Sequence, residues 1–125
     1  MSKFKFVSEY AFKTSPKVIY NYISTPGGLQ QWFSNEVSID SKQQYIIEWD
    51  GKKHIARVTK KRNISAKFDF MGEEEGNSLE LKLILGELDG STYLEVTDIS
   101  DNHDEDELQD LWQGFVDNLK DIVGG

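Results

Sequence analysis

The chain has 125 residues, of which 38% are hydrophobic and 29% charged, as is usual for a globular domain with a core of its own. Its net charge of −8 opposes binding to a phosphate backbone, so we expect no nucleic-acid partner. Because the chain lacks cysteine, we expect neither a disulfide framework nor a thiolate zinc site.

The N-terminal third predicts one strand and two short helices. Aromatic residues share one parity from Phe4 to Phe12, which indicates a strand with one buried face. Helical spacing of apolar residues then predicts a short helix over Pro16–Ser24, with Ser15 as its cap. Thr25 and Pro26 repeat the start signal, and a second short helix follows although glycines weaken it.

The middle of the chain predicts strands joined by tight turns. We expect these strands over residues 36–40, 43–49, 53–61, 64–70, 79–85 and 92–96. Asp50-Gly51 is the strongest hairpin signal, and Arg62-Asn63 and Asp89-Gly90 are typical of turns as well. Consecutive strands with such connections form an antiparallel meander.

The C-terminal segment from Glu105 to Val123 predicts one long amphipathic helix. At about 100° per residue its apolar side chains fall within an arc of roughly 140°. An acidic first turn suits the positive end of the helix dipole, and Gly124 is a typical stop. The arc consists of Leu108, Leu111, Trp112, Phe115, Val116, Leu119, Ile122 and Val123.

Together these elements predict an α+β fold in which residues 1–125 form a single domain. Its curved antiparallel sheet would have about six or seven strands, with two short helices after the first strand. The long C-terminal helix is the only element long enough to cover the concave face of the sheet.

Motifs for catalysis or metal binding are weak. His54 and His103 lie in charged surroundings that do not resemble a nucleophile elbow. Asp98 begins a calcium-loop spacing, but His103 stands where the loop needs glycine and Gln109 where it needs a bidentate Glu. We therefore predict no catalytic residue, no metal site and no cofactor, and a weak, open divalent site near residues 98–106 is left as a hypothesis.

Aromatic residues predicted on the concave side have two interpretations: they fill the core, or they line a ligand cavity between helix and sheet. Strand parity predicts no acid, histidine or arginine inside such a cavity, and tyrosines such as Tyr45 would place hydroxyls at its mouth. The predicted cavity residues are Trp32, Phe33, Trp49, Phe68, Phe70, Trp112, Phe115 and Leu119.

Three local motifs resemble one known family. The segment 15–33, with Ser15-Pro16 followed by Thr25-Pro26 and Trp32-Phe33, is similar to a pattern of START-like (helix-grip, SRPBCC) domains. Residues 90–96 are similar to the family's "GgT.L.v" motif, and residues 114–119 to its "GW...L" motif, with Phe115 where Trp is usual. Within the superfamily the chain is most similar to the group named after the C-terminal domain of the heat-shock-protein-ninety ATPase activator (AHSA-type).

The resemblance implies the helix-grip fold with an internal cavity, in a family of lipid and hormone carriers, aromatic cyclases and chaperone activators. Our first hypothesis is a non-enzymatic binder of a small hydrophobic or lipid-like ligand. The alternatives are a protein-interaction module akin to a chaperone ATPase activator and, least favoured, a cyclase-like enzyme. We expect a monomer or weak homodimer.

The chain carries no pattern typical of export or membrane insertion. Its first residues, Met1 to Lys5, lack the continuous apolar stretch of a signal peptide. No window approaches the ~20 apolar residues of a membrane span. We therefore expect a cytoplasmic protein without membrane insertion.

Overall fold

The computed structural model describes residues 2–125, and within them it contains seven strands, three α-helices and one short 3-10 helix. In chain order the elements are β1 (Phe4–Phe12), α1 (Pro16–Ser24), α2 (Pro26–Trp32), β2 (Glu36–Ile39), β3 (Tyr45–Trp49), β4 (Lys52–Lys61), β5 (Ser65–Phe70), the 3-10 helix (Gly72–Glu74), β6 (Ser78–Leu85), β7 (Thr92–Ser100) and α3 (Glu105–Val123).

The strands form one sheet with the order β1-β7-β6-β5-β4-β3-β2, and every neighbouring pair is antiparallel. β2 to β7 form the predicted meander, and β1 adds to its β7 side. α1 and α2 carry the chain from one edge of the sheet to the other, and α3 packs its buried side chains into the same core as the concave face. The predicted α+β helix-grip fold is confirmed.

The strongest predicted turn is present. Asp50 and Gly51 have φ angles of 51° and 75°, and Trp49 pairs with Lys52 across the hairpin. Two central residues with positive φ define the tight turn that suits the twist of antiparallel strands. β4 consequently begins at Lys52, one residue earlier than predicted.

The close contact between α1 and α2 explains a glycine that the sequence pattern treats only as a weak helix former. A Cβ atom on Gly28 would lie 2.2 Å from the carbonyl oxygen of Asn21, so no larger residue fits there. The Thr25 hydroxyl accepts a hydrogen bond from the Gly28 N–H at 3.0 Å and caps α2. Ser15 precedes α1 as predicted, but its side chain makes no capping hydrogen bond.

The predicted bounds of β7 and β5 were wrong in ways that change which residues face the core. β7 continues to Ser100 instead of ending at Val96, because β1 pairs with its whole length from Thr92 to Ser100. β5 begins at Ser65, one residue later than predicted, and Ile64 is 47% exposed in the turn before it.

The buried side of α3 is narrower than the predicted arc. Leu108, Trp112, Val116 and Leu119 are buried, whereas Leu111 is 48% exposed and Ile122 39% exposed. At about 100° per residue the two exposed side chains lie at the same edge of the arc. The helix therefore has an apolar edge that the core does not cover.

The ends of α3 follow the predicted signals. The side chain of Asp104 accepts a hydrogen bond from the Glu107 N–H at 3.1 Å, and Gly124 ends the helix with a φ of 89°. Within residues 2–125, neither α3 nor any shorter helix is long and apolar enough to cross a membrane.

Candidate functional site

A cavity of about 660 Å³ lies beneath the N-terminal half of α3. It is bordered by the end of α2, by β3 and β4 near their hairpin, and by the adjoining ends of β6 and β7. The C-terminal half of α3 is packed against the core instead, through Val116 and Leu119. The concave face thus has one filled end and one open end.

Six of the eight predicted cavity residues line this cavity, and two do not. Phe68 and Leu119 are fully buried in the filled end of the core, where Phe68 packs its ring against Tyr45 at 6.0 Å. Strand and helix periodicity assigns both to the concave face but does not say which end of it they occupy. The six that line the cavity are Trp32, Phe33, Trp49, Phe70, Trp112 and Phe115.

Phe33 is the centre of the aromatic wall. Its ring, 1% exposed, lies 4.9 Å from Trp49, 5.6 Å from Trp112 and 5.5 Å from Phe115, measured between centroids. Tilted and edge-on arrangements at these distances are favourable for aromatic pairs. One residue at the C-terminal end of α2 therefore joins rings from β3 and α3 into one surface.

Hydrogen bonds hold two of the indole rings in place. The Trp49 N–H donates to the backbone carbonyl of Phe33 at 2.8 Å, and the Trp32 N–H donates to that of Tyr22 at 2.8 Å. Since these polar atoms are satisfied by the protein, a ligand in the cavity meets only the apolar surfaces of the two rings.

The third indole is paired with a carboxylate that the sequence interpretation left out of the cavity. The Trp112 N–H donates to Asp98 Oδ2 at 3.0 Å. Burial raises the pKa of Asp98 above its ordinary value, and the hydrogen bond from Trp112 opposes that rise. Asp98 continues the inward parity of Thr92, Leu94 and Val96, a signal that was lost when the predicted strand ended at Val96.

A second polar group lies on the β4 wall. His54 Nδ1 lies 2.7 Å from Glu74 Oε1, and the imidazole ring lies 5.2 Å from the Trp49 ring. Both residues line the cavity. Together with Asp98 they correct the expectation of an interior without acids or histidine. The signal for His54 was its shared parity with Ala56 and Val58, which point inward.

The tyrosine hydroxyls do not lie at the cavity mouth, contrary to expectation. Tyr45 is 2% exposed, and its hydroxyl donates to the Ser24 carbonyl at 2.6 Å within the core. The remaining polar lining comes from residues such as Asn77, whose buried Oδ1 has no hydrogen-bond partner in the part of the chain that the structure describes.

The acidic segment before α3 uses its oxygens locally. Ser100 Oγ accepts from the Asn102 N–H at 3.2 Å, and Asn102 Oδ1 accepts from the Asp104 N–H at 2.9 Å. Across residues 2–125 no three His, Asp or Glu side chains are grouped so that they could hold a metal ion. The weak divalent site considered from the sequence has no such group to support it.

Solved structures share this fold at low sequence identity. Aha1 from Colwellia psychrerythraea, solved as a dimer in solution, has a TM-score of 0.76 and 21% identity over 96% of both chains. A START superfamily protein from Mycobacterium smegmatis has a TM-score of 0.68 and 14% identity, covering 96% of this chain and 97% of that one. DynU16, from the dynemicin biosynthetic locus, has a TM-score of 0.68 and 18% identity, covering 92% of this chain and 45% of that one.

The sequence comparison gives the family. No curated protein sequence matches the chain significantly. The profile of the START-like superfamily domain matches residues 1–125, which agrees with the three local motifs and with the observed fold. Aha1 shares this fold at 21% identity. The chain therefore belongs to the START-like superfamily.

Proposed function

We propose that this domain binds a small hydrophobic or lipid-like molecule in the cavity beneath α3 and does not act on it chemically. The observation that carries the proposal is the uncovered apolar edge of α3. Leu111 is 48% exposed and Phe115 only partly buried, yet both line the cavity, as does the partly buried Trp49. Apolar surface that converges on one cavity is typical of small-molecule sites.

The size of the cavity supports this function. Its volume of about 660 Å³ falls within the ~300–1,000 Å³ of most ligand pockets. A ligand that buries ~300 Å² of apolar surface would contribute on the order of 7 kcal/mol before association costs. The cavity is therefore large enough for useful affinity without a covalent bond or a metal.

A fluorescence titration with N-phenyl-1-naphthylamine, a neutral apolar probe, tests the proposal. We expect probe emission to rise on binding and Leu111→Ala to weaken binding by about fivefold, since about 1 kcal/mol of apolar contact is lost. Ile122→Ala is the matched control, because Ile122 lies on the same helix edge and is 39% exposed but does not line the cavity. No rise in emission, or an equal effect of both variants, would refute the proposal.

The polar groups in the cavity favour a second candidate, an enzyme of the cyclase type. Asp98 and the His54–Glu74 pair could supply an acid or a base beside a bound ligand. To separate the two functions, a ligand that co-purifies with the protein would be incubated with fresh protein. Mass spectrometry would then compare the mass of the recovered molecule with its mass before incubation. Recovery of the unchanged molecule supports a binder, whereas a product that Asp98→Asn abolishes supports an enzyme.

Because the chain shares its fold with Aha1, the protein-interaction hypothesis is kept as a further alternative. The expected monomer or weak homodimer is a separate prediction, which light scattering of the purified chain would test. The likeness at 21% identity concerns the fold, so a chaperone partner stays a prediction. The cytoplasmic location and the absence of a nucleic-acid partner also stay predictions from composition.

A further inference from the structure

In the described part of the chain, the carboxylates that line the cavity are not balanced by lysine or arginine side chains. Its lining residues include four acids, Glu48, Asp50, Glu74 and Asp98, and neither lysine nor arginine within residues 2–125. Glu48 lies on the outward parity of β3, and Asp50 is exposed in the hairpin turn. Glu74 already binds His54. Asp98 is therefore the carboxylate most directly available to a ligand.

Asp98 is held in place but lacks a cationic partner. Trp112 occupies Oδ2, while no hydrogen bond from any described residue reaches Oδ1, and no described Lys, Arg or His forms a salt bridge with the group. Its cross-strand neighbours are Leu79 on β6 and Phe6 on β1, both apolar and buried. A partly buried carboxylate with a free oxygen gains most from a ligand that brings a positive charge.

The aromatic wall favours the same kind of ligand. Trp49 and Phe115 line the open space and are only partly buried, and exposed ring faces attract cations. Acceptors and ring faces both select a donor with positive charge and disfavour an anion.

We propose that the ligand is an apolar molecule with a protonated amine, and that Asp98 is its counter-ion. This inference depends on the binding function proposed above and adds the chemical class of the ligand. The ammonium group would approach Asp98 Oδ1, and the apolar body would lie against Trp49 and the uncovered edge of α3. Fatty acids and anionic lipids would be disfavoured by the same carboxylate.

Three ligands with one body and different polar ends test this inference: 4-phenylbutylamine, 4-phenylbutan-1-ol and 4-phenylbutanoic acid. Affinities would be measured at pH 7 by calorimetry and by NMR shifts of cavity residues. We expect the amine to bind about ten- to a hundredfold more tightly than the alcohol, and the acid to bind most weakly. Because this comparison uses the unmodified chain, it does not depend on any variant folding.

Asp98→Asn then tests the named residue. The asparagine oxygen can still accept from Trp112, so we expect the variant to fold, to lose the preference for the amine and to bind the alcohol within about twofold of the unmodified chain. Asp121→Asn, the same change of charge at an exposed position of α3, controls for general attraction to an acidic protein.

The outcomes separate the two proposals. If the alcohol binds and the amine binds no more tightly, the amine inference is wrong and the binding function stands. If none of the three ligands and no neutral probe binds, both proposals fail. If Asp121→Asn reduces amine binding as much as Asp98→Asn, the attraction comes from net charge and the inference about Asp98 is overturned.

Discussion

Leu119→Ala and Leu111→Ala are the same substitution eight residues apart on α3, and we expect them to have different consequences. Leu119 is fully buried in the filled end of the core, and Leu111 is 48% exposed beside the cavity. Because the change in helix propensity is the same at both positions, it cancels from the comparison. The two variants therefore test where the filled end of the core stops.

The expected magnitudes follow from burial. Leu119→Ala removes three buried carbons, each worth about 0.8 kcal/mol, and the space left behind adds a further cost, so we expect a total of about 3 kcal/mol. Leu111→Ala removes the same atoms from a half-exposed site and leaves no enclosed space, so we expect about 1 kcal/mol or less.

Urea denaturation monitored by tryptophan fluorescence measures both free energies of unfolding. With a denaturant slope of about 2 kcal/mol per molar, Leu119→Ala should lower the midpoint by about 1.5 M and Leu111→Ala by about 0.5 M or less. In the probe titration the order should reverse, since Leu111 lines the cavity and Leu119 does not. Equal losses of stability would refute the division of the concave face into a filled and an open end.

Two further predictions concern Asp98 in the cavity and Asp104 at the start of α3. Burial raises the pKa of Asp98 in the folded state, so its favourable contribution is complete below the ordinary pKa of 3.8 and is lost as pH rises through the folded value. The free energy of unfolding of Asp98→Asn, measured by urea denaturation relative to that of the unmodified chain, should thus increase from pH 3 to pH 7. A difference that stays constant or falls over this range would contradict the prediction. Asp104→Ala should cost about 1 kcal/mol by removing the cap of α3, while Asp104→Asn keeps the acceptor oxygen and most of that stability in the same assay. A loss as large for Asn as for Ala would show that the cap bond is unimportant.

Much of the fold could be predicted because its local signals agree. Alternation identified β1 and the meander, and helical spacing together with the stop at Gly124 gave the bounds of α3. The register of β1 against β7 could not be predicted, because it joins residues from opposite ends of the chain. As a result β7 was ended early, and Asp98 was assigned to a polar loop instead of the concave face.

The candidate site was predicted only in part for a related reason. Period two and period 3.6 indicate which face a side chain occupies, but they do not indicate its depth along that face. Phe68 and Phe70 share one parity on β5, yet only Phe70 reaches the cavity. His54 was discounted because lysines precede it, although its parity with Ala56 placed it inside.

The position of β1 has a consequence for how the chain is made. Phe4 pairs with Ser100, so β1 is synthesised well before its partner strand and stays unpaired until β7 has left the ribosome. At about 5–20 residues per second this delay lasts roughly 5–20 s, and native pairing of β1 must follow the synthesis of β7. Lys5 and Glu9 place charges on the outward face of β1 while it is unpaired. These charges disfavour pairing with a strand of a neighbouring nascent chain.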